Sequence, residues 1–179
     1  MIRGSELIGV PILKEDKKIK LTYTKDIIYG KNPLKVIAFS IKMKNSQKKN
    51  NRIIPFQKIK DINHEEIIIV AEKDIIFPHE APEINSAVEK PIKVIGFHIY
   101  DEQKNLVGTI RDTIIEKNSG KILAFIISEG VIDDLIEGHS ILPLVNHIDF
   151  QRDYIVIGNT HLETISSQGG GLKKLLGIK

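Results

Sequence analysis

The chain has 179 residues, of which 41% are hydrophobic and 27% charged, and it contains neither cysteine nor tryptophan. This hydrophobic content is enough to fill a core, so the composition excludes a wholly disordered protein. The lack of cysteine excludes a disulfide scaffold, a cysteine-ligated zinc site and thiol chemistry. Isoleucine occurs 35 times, and such an excess of a β-branched residue favours strands over helices.

The net charge of +3 is the sum of two different halves. Residues 1–73 hold 16 Lys and Arg against 8 Asp and Glu, whereas residues 74–179 hold 10 against 15. A basic half followed by an acidic half predicts two units with different surfaces. No stretch has the length and apolarity of a signal peptide core or a membrane helix, so we expect a cytoplasmic protein.

Short strands separated by turn residues are predicted along the chain. In the first half they are Val10–Leu13, Ile19–Tyr29, Lys35–Lys42, Arg52–Phe56 and Glu66–Val70. The next stretch, 73–90, contains proline, asparagine and serine and is predicted to be a linker. The second half repeats the pattern with turns at Asp101–Asn105 and Lys117–Gly120, where Asn118 and Gly120 tolerate the positive φ of a tight hairpin.

An internal repeat is the strongest signal in the sequence. Residues 25–41 align without a gap on residues 111–127, and eight of the 17 positions are identical, among them Asp26/Asp112 and Lys35/Lys121. The register continues upstream at Gly9/Gly96 and downstream at Pro55/Pro143. We therefore predict a first domain at 1–72, a linker at 73–90, a second domain at 91–160 and a flexible tail at 161–179.

The ordered blocks of each copy resemble the PRC-barrel family. In the first copy they are Ser5–Ile12, Thr24–Ile28, Val36–Phe39, Arg52–Phe56 and the apolar run ending at Val70; the second copy is looser, with Val94–Gly96, Leu106–Asp112, Ala124–Phe125 and Ile141–Leu144. Closing five or six strands into a small barrel buries one face and removes exposed edges. The resemblance thus implies an all-β chain of two tandem small PRC-type barrels, similar to stand-alone bacterial proteins, used for macromolecular contacts and without a catalytic signature.

No catalytic, cofactor or metal motif stands out. The glycine run 169–171 does not follow a strand and lacks the residues of a phosphate-binding loop. The repeated Asp26 and Asp112 have two interpretations: paired carboxylates of an active site, or structural acceptors beside turns, which we favour. We therefore expect no enzymatic activity and no cofactor.

One segment differs sharply between the copies. Between matched strands the first copy carries only basic charges, and the second only acidic ones. The basic residues are Lys42, Lys44, Lys48, Lys49 and Arg52, and the acidic ones are Glu129, Asp133, Asp134 and Glu137. Three interpretations stay open: solvated segments, phosphate contact by the basic one, or mutual complementarity that fixes an assembly. The first segment has no interleaved aromatics, so phosphate contact without base stacking is expected.

The tail supplies a further candidate contact. After three glycines it carries a basic and apolar peptide whose candidate residues are Leu172, Lys173, Lys174, Leu175 and Leu176. We expect a non-enzymatic adaptor that binds protein partners, and as the alternative an RNA- or ribosome-associated factor. Weak contact of the tail with a membrane surface and a homo-oligomer are further partner hypotheses.

Overall fold

The fold is described from a computed structural model, over residues 1–31, 34–42, 52–128, 140–144, 149–151 and 154–167. The chain divides into two compact units. The first unit holds residues 1–92 together with 115–121, and the second holds the described residues of 93–114 and 122–179.

The predicted all-β character is confirmed in its coarse form, because strands predominate over helices. The strands up to the middle of the chain are β1 (Ile2–Arg3), β2 (Pro11–Lys14), β3 (Ile19–Gly30), β4 (Lys35–Ile41), β5 (Ile53–Pro55), β6 (Ile59–Ile62) and β7 (Ile67–Ile69). Helix α1 (Pro82–Glu89) follows. Thereafter come β8 (His98–Asp101), β9 (Leu106–Ile115), β10 (Ile122–Ser128), β11 (Ser140–Pro143), β12 (Asp149–Phe150), β13 (Tyr154–Ile157) and helix α2 (Asn159–Ser167).

The two sheets have the same strand order. It is β5-β4-β3-β2-β7-β6 in the first unit and β11-β10-β9-β8-β13-β12 in the second. In both sheets one pair is parallel, β2 with β7 in the first unit and β8 with β13 in the second. The inward side chains are mainly isoleucines, and Ile12, Ile67, Ile99 and Ile155 are fully buried. The isoleucine excess therefore supplies the cores.

Two equivalent glycines, Gly9 before β2 and Gly96 before β8, have the same backbone conformation. Gly9 and Gly96 have φ values of 78° and 91°, which an L side chain rarely adopts. Their N–H groups donate to the carbonyl oxygens of Thr24 and Ile110 at 3.1 and 2.8 Å. The same tight bend is therefore present at these two repeat positions in both units.

The predicted closure into barrels is not found: the described residues form two sheets and no closed barrel. The terminal strands are short, three and four residues in the first unit for β5 and β6. The outer edge of β5 is also occupied, because Ile53 exchanges two backbone hydrogen bonds with Ile76 at 2.9 and 3.0 Å. That bond pair leaves β5 no free edge at Ile53 for another strand.

The segment 73–90 differs from the predicted linker. Helix α1 begins with Pro82 in its first turn, where the missing N–H costs nothing. Its Ile84 is buried with Ala38, Ile53 and Ala81, and Val88 packs against this cluster. The stretch belongs to the first unit, which extends to residue 92.

The predicted tail, 161–179, overlaps helix α2, which continues to Ser167. The remaining tail residues, including the candidates Leu172, Lys173, Lys174, Leu175 and Leu176, lie outside the described residues. None of the helices within the described ranges has the length and apolarity to cross a membrane.

The turn predicted at Asp101–Asn105 is confirmed and carries a perturbed carboxylate. The Asn105 backbone N–H and side-chain amide donate to the two Asp101 carboxylate oxygens at 2.7 and 2.8 Å. These bonds, the side-chain amide first, lower the pKa of Asp101 below its ordinary value of 3.8, and the Gln103 N–H contributes; desolvation opposes the shift.

We predict that Asp101→Asn destabilises the protein at neutral pH and that this loss disappears in acid. A carboxyl whose folded pKa is lowered stabilises the fold above its unfolded pKa and loses that contribution as the pH falls through the folded pKa. Urea unfolding of both proteins at pH 7 and below pH 3.8 measures the difference. The neighbouring Glu102→Gln is the control; an equal loss for Asp101→Asn at both pH values would contradict the prediction.

Candidate partner-binding surfaces

Two of the predicted charged contact residues, Lys42 and Arg52, lie within the described part of the chain. The other predicted contacts, Lys44, Lys48, Lys49, Glu129, Asp133, Asp134 and Glu137, fall outside it. Lys42 directly follows β4 and Arg52 directly precedes β5. The Ile41 N–H donates to the Arg52 carbonyl at 3.2 Å, so the two ends of the basic segment meet at the end of this strand pair.

An exposed tyrosine lies beside Lys42. The Lys42 N–H donates to the Tyr23 carbonyl at 2.9 Å, and the Thr22 hydroxyl donates to the Lys42 carbonyl. The Lys20 ammonium donates to the Tyr23 hydroxyl at 2.9 Å and lies 5.2 Å from the ring centroid. Tyr23 is nevertheless 38% exposed. This end of the basic segment therefore presents an aromatic ring in contact with the Lys20 ammonium.

The electrostatics of Tyr23 follow from these contacts. The hydrogen bond from Lys20 lowers the pKa of Tyr23 below its ordinary value of 10.0, and the charges of Lys20 and Lys42 lower it further, while burial opposes the shift. Nearby cations stabilise the charged phenolate and therefore lower the pKa of the hydroxyl. The site is thus electropositive at the tyrosine hydroxyl.

A second aromatic group lies beside Arg52. The Arg52 guanidinium lies 4.4 Å from the centroid of the Phe77 ring, within the range of a cation–π contact. His79 stacks on Phe77 with ring centroids 5.4 Å apart and an interplanar angle of 15°. The backbone pairing of Ile53 with Ile76 brings Phe77 to this place, and Glu80 accepts the Phe77 N–H at 2.6 Å.

We call these six residues the cationic–aromatic surface: Lys20, Tyr23, Lys42, Arg52, Phe77 and His79. The basic segment itself has no interleaved aromatics, but rings from elsewhere in the chain lie beside its two ends. The sequence correctly predicts that Tyr23 lies on a strand, but it does not show that its side chain is exposed. Phe77 and His79 lie 25 or more residues from Arg52 in a stretch predicted to be a linker, and no local pattern connects them.

The second unit presents a different outer face. In the parallel pair of β8 with β13, Tyr154 lies opposite His98 and Val156 opposite Tyr100. The Tyr100 ring meets the rings of Tyr154 and His98 edge-on, at centroid distances of 5.7 and 6.3 Å.

Leu106, opposite Tyr100 on β9, is 59% exposed, and Tyr154 is 38% exposed. We call His98, Tyr100, Leu106 and Tyr154 the aromatic face. It arises because alternate residues of a strand point to opposite sides of the sheet.

The repeated aspartates have matching local geometry. The Asp26 carboxylate accepts the N–H of Ile27 at 2.8 Å, and the Asp112 carboxylate accepts the N–H of Thr113 at the same distance. A carboxylate that accepts the next backbone N–H fixes the local conformation, as expected for the structural interpretation. The equal contacts favour a structural role for both.

Asp26 also lines a cleft of about 190 Å³ together with Lys25, Tyr29 and Ser40. That volume is below the roughly 300–1,000 Å³ typical of small-molecule sites. Within the described ranges, no group of three or more His, Asp or Glu side chains lies together to hold a metal ion.

A PRC-barrel domain is found at residues 93–163. This match covers the second copy of the repeat, where the resemblance in the quoted blocks was the looser of the two. No curated protein matches the chain. The aromatic face, with His98, Tyr100, Leu106 and Tyr154, lies entirely within the matched residues.

We predict that Lys20→Met raises the pKa of Tyr23 towards 10.0, because the substitution removes both the hydrogen bond and the largest nearby charge. Absorbance titration of the tyrosines near 295 nm measures it, with the Tyr23→Phe protein identifying which part of the curve belongs to Tyr23. Lys58→Met is the control. An unchanged titration curve for Lys20→Met would show that the ammonium does not act on this hydroxyl.

Proposed function

We propose that the chain is a non-enzymatic adaptor built from two PRC-type domains, and that the aromatic face of the second domain binds a protein partner. The common strand order of the two units and the internal repeat support a second domain of the same type at residues 1–72. The observation that carries the function is the aromatic face itself. It leaves tyrosine and leucine side chains exposed on the outer side of a sheet whose inner side is filled.

The composition of this face is that of a protein interface. Tyrosine is enriched among the residues that dominate binding energy, because it buries a large rigid surface with few rotatable bonds and keeps a polar end. The edge-on ring contacts of Tyr100 with His98 and Tyr154 hold the side chains in place before a partner arrives. Such preorganisation reduces the entropy lost on binding.

The alternative is an RNA-associated factor that uses the cationic–aromatic surface. The observation that favours it is the pair of rings, Tyr23 and Phe77, placed beside Lys42 and Arg52. Surfaces that bind single-stranded nucleic acids combine cations for the phosphates with aromatic rings on which bases stack.

For the adaptor, we predict that Tyr154→Ala removes the partner proteins recovered by cross-linking and purification from the native host, whereas Tyr23→Ala retains them. The two tyrosines are matched, since each is 38% exposed. Truncating an anchoring tyrosine typically costs about 2 kcal/mol or more of binding free energy. Identical sets of partners for the wild type, Tyr154→Ala and Tyr100→Ala would reject the aromatic face as the binding surface.

For the RNA alternative, the roles of the two tyrosines reverse. We predict that Tyr23→Ala and Phe77→Ala weaken binding of a mixed-sequence single-stranded RNA, measured by fluorescence anisotropy, while Tyr154→Ala does not. Lys42→Gln should also reduce the dependence of log K on log salt by about 0.7 per lost phosphate contact. Phe77→Ala should leave that slope unchanged, because stacking releases no counterion. No binding by the wild type at low salt would reject the alternative.

A further inference from the structure

A cleft of about 500 Å³ lies in the first unit where four turns of the chain come together. They are the turn between β3 and β4, the helical turn Phe56–Lys58 after β5, the first turn of α1 and the turn between β9 and β10. The last of these belongs to the first unit, which includes residues 115–121. The volume of the cleft lies within the roughly 300–1,000 Å³ typical of small-molecule sites.

The backbone fixes one wall of the cleft. The Val36 N–H donates to the Gly120 carbonyl at 2.8 Å. Gly120 has a φ of 73°, and a Cβ at this position would lie 2.8 Å from the Val36 carbonyl oxygen and 3.2 Å from the Phe56 ring. Only glycine permits this approach, so the turn that contains residues 118–119 is held closely against β4 and the Phe56 ring.

Apolar side chains form a continuous part of the lining: Val36, Ile37, Phe56 and Ile84. Val36 and Ile84 are almost fully buried, and Phe56 is half-buried. The Phe39 ring, which is fully buried, lies 6.5 Å from the Phe56 ring between centroids. Phe56 thus packs on the core and still contributes surface to the cleft, where the apolar body of a ligand would be sheltered from water.

The charged residues of the lining have both signs. They are Lys31, Lys35 and Glu83, and all three are exposed. None of the ion pairs between described residues includes any of them, so the lysines and the glutamate share the cleft without pairing with each other. Gln57 and Asn118 add side-chain amides, which can both donate and accept hydrogen bonds.

We propose that this cleft binds a small zwitterion with an apolar body, the chemistry that a free apolar amino acid and a dipeptide share. The carboxylate of the ligand lies at Lys31 and Lys35, its ammonium lies at Glu83, and its side chain packs against Phe56. Unpaired charges of both signs in one cleft complement a ligand that carries both, whereas a phosphate or a fatty acid would bring negative charge alone towards Glu83. The adaptor and RNA functions use other residues and are independent of this proposal.

Ligands that lack one charge test the proposal on the wild-type protein. Isothermal calorimetry at about pH 6, where both the ammonium and the carboxylate of the ligand are charged, compares L-phenylalanine with the dipeptide Phe-Leu and so separates the two sources. Saturable binding of at least one of them is expected. Its N-acetylated form, without the ammonium, and its amide, without the carboxylate, should each bind about tenfold more weakly or worse, since each loses a charge-assisted contact.

Two variants identify the protein groups that meet each charge. Glu83→Gln should weaken the unmodified ligand about tenfold but leave the affinity for the N-acetylated form unchanged, because that form has no ammonium to lose. The double variant Lys31→Met with Lys35→Met should likewise weaken the unmodified ligand and leave the affinity for the amide unchanged. A purely structural role would weaken all forms equally.

The matched controls are Glu72→Gln and the double variant Lys73→Met with Lys90→Met, which change exposed residues of the same unit outside the cleft lining and should not alter binding. Lack of saturable binding of both ligands at about 10 mM, where a millimolar Kd would be seen, overturns the proposal. So does undiminished affinity for the N-acetylated or amidated form, a comparison that holds even if a cleft variant fails to fold. Equal weakening of all forms by both cleft variants would also overturn it.

Discussion

One parallel pair of strands in each sheet, β2 with β7 and β8 with β13, determines which side chains face the core and which face outward. Strand β2 is bonded to β3 on one edge and to β7 on the other, and β8 is placed in the same way between β9 and β13. The register sets Ile12 opposite Ile67 and Ile99 opposite Ile155, all fully buried. Because side chains alternate along a strand, a slip of one residue would turn these isoleucines outward. The register of these strand pairs therefore decides which side chains form the core and which form the outer surface.

Much of the fold could be predicted because strands and tight turns are local. The predicted Lys35–Lys42 differs by one residue from β4, and the turn predicted at Asp101–Asn105 is present. The predicted barrel closure was wrong for the described residues, and the sequence could not show this, since it depends on which distant segment takes the edge of β5. Helix α1 had a signal, the spacing of Ala81, Ile84 and Val88 on one helical face, but prolines and polar residues around it suggested a linker.

The candidate surfaces were harder to predict than the fold. The composition of the two segments shows directly that one is basic and the other acidic. The aromatic residues beside the basic segment come from elsewhere in the chain. Phe77 reaches Arg52 through the bridge between Ile53 and Ile76. Likewise, His98 and Tyr154 are more than 50 residues apart and meet only through a parallel register. Single residues could be proposed from sequence, but their juxtaposition depends on tertiary pairing.

Comparison of equivalent positions shows where the two units differ. Their frames agree, as in the φ of Gly9 and Gly96 and the bonds of Asp26 and Asp112. The side chains on the outer faces of the two sheets differ. Where the pairing registers place Lys20 and Tyr23 in the first unit, the second has Leu106 and Thr109.

The same registers set Pro11, Leu13 and Glu66 of the first unit against His98, Tyr100 and Tyr154 of the second. These first-unit positions thus hold one basic and one acidic residue, whereas the second unit has an aromatic and apolar surface there. Any β-compatible side chain suffices on a solvated face, so the sheet itself requires neither set of side chains. The outer faces are therefore free to differ between the units while the registers and the buried isoleucines stay the same.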